Sequence, residues 1–387
     1  MTEKYIHRNL ESEIIEAKKY FSVITITGPR QSGKTTLIRH IFNELPYYSL
    51  EDIDVKMFAQ NDPRGFLLQN PNGMILDEVQ NSPQLLSYIQ TIVDTEPNRR
   101  YVLSGSSQFA VLRQITQSLA GRTAIFELLP LSLSEIAENK VLHDTNTSIF
   151  SGFYPAIYAD RNIPKYFYPS YVKTYIERDV RDVLNIKDLH TFQIFLKLCA
   201  GRIGSILNIS ELANEVGVAV NTIKSWLSVL EASYIITLLP PYFENSRKRL
   251  IKSPKLYFYD TGLACFLLDI TSEEQLNHDK MRGHLFENMI ISDFIKNKLN
   301  KGESNNLSFY RDSNGNEVDL LIPTTKGYKA IEIKSSATYH TDFEKGLKSV
   351  SDTLASKIKE KYIIYNGEME NEVADIKLIN WKNKKNM

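Results

Sequence analysis

Val23-Ile24-Thr25-Ile26-Thr27-Gly28-Pro29-Arg30-Gln31-Ser32-Gly33-Lys34-Thr35-Thr36 is the stretch on which the fold turns. Its first five residues form a β-branched run suited to a buried strand, and Thr36 to Phe42 continues with apolar spacing that predicts a helix. Between them, Gly28 to Thr35 matches Gly-x-x-x-x-Gly-Lys-Ser/Thr in full. The glycines let the backbone curl so that successive N–H groups point inward, and the following helix presents its positive end to the same anion. The pattern predicts a nucleoside triphosphate with Mg²⁺. Gly28, Pro29, Arg30, Gln31, Ser32 and Gly33 would form the cradle, Lys34 would reach the β and γ phosphates, Thr35 the metal and Thr36 an α phosphate. A glycine-rich turn that binds nothing is the plain alternative; the strand before it and the helix after it weigh against that.

Further along, Met74-Ile75-Leu76-Asp77-Glu78 is an apolar strand closed by two acids, at the carboxyl edge where α/β sheets bind ligands. Asp77 is expected to hold Mg²⁺ through water, and Glu78 to polarise the attacking water as a general base. Tyr47 to Leu50 and Arg100 to Leu103 predict two more strands, the second followed by Ser104-Gly105-Ser106-Ser107, where a polar side chain can sense a γ phosphate. An arginine finger, often supplied by a neighbouring subunit, would stabilise transition-state charge. Arg122 is one candidate, with Arg178 and Arg181 on a helix expected over Tyr171 to Val183; a surface ion pair is the plain reading of each.

The chain has 387 residues, enough for two or three domains with ample core. Hydrophobic residues make up 42% and charged residues 24%, which argues against wholesale disorder or a fibrous architecture. Because 46 basic side chains balance 46 acidic ones, attraction to nucleic acid would have to come from a local patch. Cys199 and Cys265, the only cysteines, read as two buried thiols in a reducing cytosol. Met1 to Leu10 lacks an apolar core and nowhere do 18 apolar residues run together, so a cytoplasmic, unanchored protein is expected. Ala159 to Tyr168, rich in Tyr, reads as either a linker or part of a lid.

Leu207 to Leu230 follows a different pattern. Ser210 is expected to cap a helix through Val216, Gly217 to make a turn, and Asn221 or Thr222 to open a second helix with Ile223, Trp226, Leu227 and Leu230 on one face. That is a helix-turn-helix pattern. Strands over Tyr234 to Leu239 and Lys255 to Tyr259, with Arg247, Lys248, Arg249 and Lys252 between them, extend it to a winged helix. Duplex DNA is one expected partner, through Asn221, Lys224, Arg247, Lys248 and Arg249; packing against the rest of the chain or another subunit is the alternative.

In the last third, Arg282 to Lys298 predicts a helix with Glu287 beside its apolar side. Leu307 to Tyr310 and Glu317 to Ile322 predict a hairpin around Ser313-Asn314-Gly315-Asn316. Val318, Leu320 and Ile322 should share one face and Asp319 the other. In a third strand, Tyr328 to Lys334, Glu332 and Lys334 alternate with Ile331 and Ile333. Unpaired charges are rarely set against a core, and a metal site would explain them. Asp319, then Glu332-x-Lys334, with Glu287 on the preceding helix, resembles the PD-(D/E)XK nuclease constellation. The resemblance implies Asp319 and Glu332 as Mg²⁺ ligands, with Glu287 and Lys334 in the catalytic set. A retained fold whose acids are held only by ion pairs is the alternative.

Taken in order, Gly-Pro-Arg-Gln-Ser-Gly-Lys-Thr-Thr, Leu-Asp-Glu-Val-Gln, Leu-Ser-Gly-Ser-Ser, Leu-Ala-Gly-Arg, Tyr-Ile-Glu-Arg-Asp-Val and the final Glu-Val-Asp with Glu-Ile-Lys resemble one family along nearly the whole chain. It is the prokaryotic AAA-type ATPases with a C-terminal domain of nuclease-like fold. The resemblance implies ATP as ligand, Ser104 or Ser106 as the γ-phosphate sensor, and an α/β chain in three parts. These are an additional-strand, AAA+ like P-loop domain over 1–160, a helical and winged-helix region over 161–270, and a PD-(D/E)XK-like α/β domain over 271–387. The expected activity is a nucleotide-driven ATPase switch, acting on DNA and with possible cleavage, in a homo-oligomer. An ATP-regulated signalling or scaffolding protein and a transcription regulator are the alternatives.

Overall fold

The computed structural model describes residues 5–106, 118–139, 142–159, 163–180, 188–242, 253–354 and 356–386. Five parallel strands open the chain: β1 Val23–Thr27, β2 Tyr47–Ser49, β3 Gly73–Asp77, β4 Arg100–Gly105 and β5 Thr123–Glu127. They lie in the order β2-β3-β4-β1-β5. β1 and β3 are buried along their whole length, as a parallel sheet covered on both faces requires. Alternation sends Val23, Met74, Leu76, Tyr101 and Leu103 into one core with the helices Pro63–Leu68 and Leu85–Thr95. Ile24, Ile26, Ile75 and Val102 enter a second core with the helices Glu11–Ala17 and Lys34–Ile41. Truncating any one of these apolar strand residues to alanine would cost about 2–5 kcal/mol.

The strand that stands between the phosphate-loop strand and the acidic strand in space is β4. β2, which lies between the two motifs in the sequence, takes the outer edge. Both acids therefore end a strand next to β4, and the β4 carboxyl end reaches them.

The middle of the chain is helical. Asn208 caps the helix Ile209–Val216, its side chain accepting from Glu211 N at 3.2 Å, and Ser210 lies inside the first turn. Gly217 closes that helix, its N–H donating to Ala213 O at 2.9 Å. The second helix spans Val220–Ala232 and buries Ile223, Trp226, Leu227 and Leu230. A hairpin follows, β6 Ile236–Leu239 antiparallel to β7 Lys255–Phe258. Arg247, Lys248, Arg249 and Lys252 lie outside the described residues, as does Arg181. Instead of one helix over Tyr171 to Val183, a helix Pro164–Tyr171 passes into a π-helical segment Val172–Val180. Phe167, Tyr168 and Tyr171 are buried, so the end of Ala159 to Tyr168 packs into the core, while residues 160–162 lie outside the described residues. Cys199 and Cys265 are free and buried, and burial pushes both thiols well up.

The last part is a six-stranded sheet, order β12-β13-β11-β10-β9-β8. It comprises β8 Ser308–Arg311, β9 Glu317–Thr324, β10 Gly327–Lys334, β11 Ile358–Tyr365, β12 Glu372–Val373 and β13 Ile376–Asn380. The helix Arg282–Leu299 packs on it. A bulge in the β8–β9 ladder, where the register shifts between Ser308 and Tyr310, breaks the expected alternation. Val318 and Leu321 enter one core while Leu320 enters the other. That larger core runs unbroken from Leu129 through the middle helices to Trp381. Among the described residues no helix is long and apolar enough to cross a membrane.

Gly73 starts β3 with φ +98°, and a Cβ there would stand 1.7 Å from Arg100 O on the neighbouring strand. Gly217 has φ +78° but nothing within 4 Å. Gly73→Ala should therefore cost about 2–4 kcal/mol and Gly217→Ala about 1 kcal/mol, read from urea unfolding of the two variants.

Candidate nucleotide site

The phosphate loop leaves β1 at Gly28, where a side chain would strike Leu128 O at 2.1 Å. Lys34 opens the next helix, and its buried ammonium folds back to donate to Gly28 O at 2.9 Å and Pro29 O at 2.8 Å. Burial pulls this lysine below its usual range, opposed by Glu78 and Asp77. Ser32 is fully buried and its Oγ has no hydrogen-bond partner. An orphaned hydroxyl inside a loop of this kind fits a loop built around a polyanion.

Asp77 ends β3 and collects neutral donors. Thr35 Oγ1 reaches its Oδ2 at 2.7 Å, Tyr47 OH the same oxygen at 2.8 Å and Glu78 N its Oδ1 at 3.1 Å. Ser104 Oγ also donates to Oδ1. Glu78 adopts a left-handed backbone, φ 54°, which turns its carboxylate toward the end of β4. Its Oε2 accepts from Ser106 N and Ser106 Oγ, each at 3.2 Å, and from Gln80 Nε2. Ser104 and Ser106 thus hold the two acids from the inserted strand. The Thr35 hydroxyl beside Asp77 is the side-chain set that would carry Mg²⁺, and the residues fit that ion: hard oxygen donors, with a carboxylate that accepts from neutral hydroxyl and N–H groups.

Lys34, Thr35, Thr36, Gln31 and Glu78 line a cleft of about 1100 Å³. Its far walls come from Pro155, Ala156 and Ala159 and from Tyr171, Thr174 and Tyr175. Near its mouth Tyr5 stacks on His40, ring centroids 4.0 Å apart and planes 20° from parallel. Tyr175 OH donates to Ser233 O at 3.1 Å, and Arg30 lies over the Tyr175 ring.

Arg8, which sequence reading passed over, is 3% exposed. It donates to Ser32 O at 2.7 Å, Leu129 O at 2.7 Å and Glu135 Oε1 at 3.0 Å. No spacing rule joins residues 127 positions apart. Arg122 is placed elsewhere. It immediately precedes Thr123, which pairs with Val23 at the amino end of β1, so it lies at the sheet edge opposite the phosphate loop. There it grips Asp94 through Nε at 2.6 Å and a second nitrogen at 2.9 Å. Arg122 thus does not reach the phosphate loop of its own chain. The side chain of Arg178 lies outside the described residues.

The second acidic group does come together. Lys334 Nζ lies 2.5 Å from Glu332 Oε1 and 4.0 Å from Asp319 Oδ2, and Ile333 N donates to that Asp319 oxygen at 2.8 Å. Two members were not anticipated. Lys255 Nζ, from β7, lies 2.5 Å from Glu317 Oε1, 3.2 Å from Glu287 Oε1 and 3.8 Å from Asp319 Oδ1. Burial, then Asp319, push Glu287 up to about 7 and Glu332 up to about 8. Burial opposes the Lys255 charge, but Glu287, Asp319 and Glu317 outweigh it and hold this lysine above its usual range. Asp319 and Glu332 were expected as metal ligands; their contacts here are with ammonium groups and a backbone N–H. Among the described residues no group of three or more His, Cys, Asp or Glu is arranged to hold a metal ion.

Three family models match separate parts of the chain. Residues 20–137 match the AAA domain family, 142–274 a domain of unknown function (DUF8612) and 282–383 another domain of unknown function (DUF4143). An uncharacterized protein of Mycobacterium tuberculosis is 27% identical over 322 residues, covering 82% of this chain and 71% of that protein. One of Methanocaldococcus jannaschii is 25% identical over 401 residues, covering 94% and 86%. Among solved structures, a Walker-type ATPase of Pyrococcus abyssi aligns with a TM-score of 0.42 at 14% identity, covering 69% of this chain and 97% of that one.

Replacing Arg8 would leave the Glu135 carboxylate buried, 0% exposed, without its ion-pair partner. Arg8→Met should cost about 3–5 kcal/mol in urea unfolding, with Glu135→Gln in the same chain recovering part of it. The match over residues 20–137, the glycine-lysine loop after β1 and the acidic end of β3 together support an AAA-type P-loop ATPase domain in the N-terminal part of this chain.

Proposed function

We propose that the chain hydrolyses ATP with Mg²⁺ and works as a nucleotide-driven switch. The observation that carries this is the pairing of Thr35 Oγ1 with Asp77 at 2.7 Å beside a Glu78 carboxylate held by Ser106. Lys34 exchanges the Gly28 and Pro29 carbonyls for β and γ phosphate oxygens, a stronger partner for an ammonium. Thr35 and Asp77 would hold the metal ion, which when bound would offset developing charge on the phosphates. Glu78 accepts the proton of the attacking water, and the Ser106 N–H and hydroxyl fix the carboxylate's direction. Loss of the γ phosphate alters what Glu78 and Ser106 face, and Tyr175, bonded to Ser233, borders the same cleft.

The body on which the switch acts is proposed to be duplex DNA. Asn221, Lys224 and Ser225 are exposed on the helix that buries Trp226 on its other face, and a helix so placed can enter a major groove. A signalling or scaffolding role, with these modules binding protein partners, is the competing reading. DNA cleavage is left out, because the Lys255 ammonium, which is no part of the expected catalytic set, lies among the C-terminal acids.

Lys34→Ala should abolish magnesium-dependent ATP binding in calorimetry. Glu78→Gln should retain binding while turnover falls about 10²–10⁴-fold. Duplex DNA should raise turnover, and the stimulation should fade as salt rises. Full binding by Lys34→Ala would defeat the nucleotide reading, whereas turnover indifferent to DNA but dependent on protein concentration would favour the scaffolding role.

A further inference from the structure

β7 belongs to the middle hairpin, yet the side chain of Lys255 leaves it for the acids of the C-terminal sheet. The residue is 2% exposed and its ammonium lies within 3.8 Å of three carboxylates from two elements: Glu287 on the helix Arg282–Leu299, and Glu317 and Asp319 on β9. Tyr257, two residues on, donates to the same Glu287 oxygen at 2.6 Å. Carboxylates converging on one buried point from separate elements repel one another unless a cation sits among them. Here that cation is covalently part of the chain.

The neighbouring acid is not satisfied in the same way. Glu332 is 7% exposed, its Oε1 meets Lys334, and its Oε2 is buried with no hydrogen-bond partner. Four carboxylates, Glu287, Glu317, Asp319 and Glu332, are thus met by two ammonium groups and, at Glu317 Oε2, by the Arg311 guanidinium at 2.9 Å. Removing Lys255 would leave oxygen donors with an excess of negative charge, the donor set of a hard divalent ion.

We propose that Lys255 is a tethered cation standing in for a divalent metal ion, so that the C-terminal acid cluster binds Mg²⁺ or Mn²⁺ only when the β6–β7 hairpin withdraws it. The hairpin has a contact through which such a movement could be driven. Tyr234, two residues before β6, shares a 2.7 Å hydrogen bond with the Thr27 hydroxyl at the root of the phosphate loop. Within the hairpin, Leu239 at the end of β6 pairs with Lys255. The cation site itself does not rest on ATP hydrolysis and is tested without nucleotide.

The test titrates Mn²⁺ into the full, nucleotide-free chain, read by calorimetry and by the fall in free Mn²⁺ paramagnetic resonance. The wild-type chain should show no site that Asp319→Asn removes. Lys255→Met should gain one site at least about tenfold tighter than anything in the wild-type chain, and Lys255→Met with Asp319→Asn should lose it. Lys255→Gln carries the same measurement should the methionine variant not fold, circular dichroism reporting on both. A wild-type Mn²⁺ site abolished by Asp319→Asn would overturn the proposal, whichever variants fold. So would a folded Lys255 variant that gains nothing.

Discussion

The guanidinium of Arg8 is the constraint from which the phosphate loop takes its place. A charge this deeply buried has to be met on every side, and Arg8 is met by the loop itself, by the backbone after β5 and by Glu135. Loop, sheet corner and the helix Leu133–Glu138 are thereby fixed as one piece. Glu135 also closes a capping box with Ser132, while the N–H between them, that of Leu133, donates to Asp293 on the long C-terminal helix. Asp293 in turn pairs with Lys384 near the chain's end. A continuous polar path therefore joins the phosphate loop to the C-terminal sheet's covering helix, inside an apolar core that would magnify the cost of breaking any link.

Much of the first domain was legible because its signals are local. A strand buried on both faces reads as a β-branched run, and a phosphate loop is eight consecutive residues. What local signals do not carry is which strands are neighbours and which end of a strand a residue occupies. The spatial insertion of β4, and Arg122's place at the edge away from the loop, follow from pairing registers invisible in the linear order. Asn208 and Ser210 are both good capping residues two positions apart, and only the accepted hydrogen bond separates them. The C-terminal acids were found because alternation sets charges against a core. Arg8, Lys255 and Glu317 were missed because their partners come from other elements, 32 to 127 positions away where Arg8 and Lys255 meet Glu135 and Glu287.

The two acidic sites differ in the kind of donor that satisfies them, and this difference governs what each can accept. Hydroxyls and backbone N–H groups hold Asp77 and Glu78. Such donors orient a carboxylate without cancelling its charge, so the attraction for an incoming cation is retained. Ammonium groups hold the C-terminal acids. They orient the carboxylates too, but they offset part of their charge, and an incoming divalent ion would meet like charge at the contact distance.

Burial sharpens that contrast. At the C-terminal cluster the low dielectric raises Glu287 and Glu332 toward neutrality, a response of acids with too little cationic charge nearby. The cluster is thus neither fully compensated nor open. One ammonium comes from its own sheet, at Lys334, and the other from a hairpin that also touches the root of the phosphate loop. Because the second ammonium belongs to a different unit of the chain, the charge state of the cluster depends on how the two units dock. A rearrangement at one end of the hairpin would be felt as a change of charge at the other.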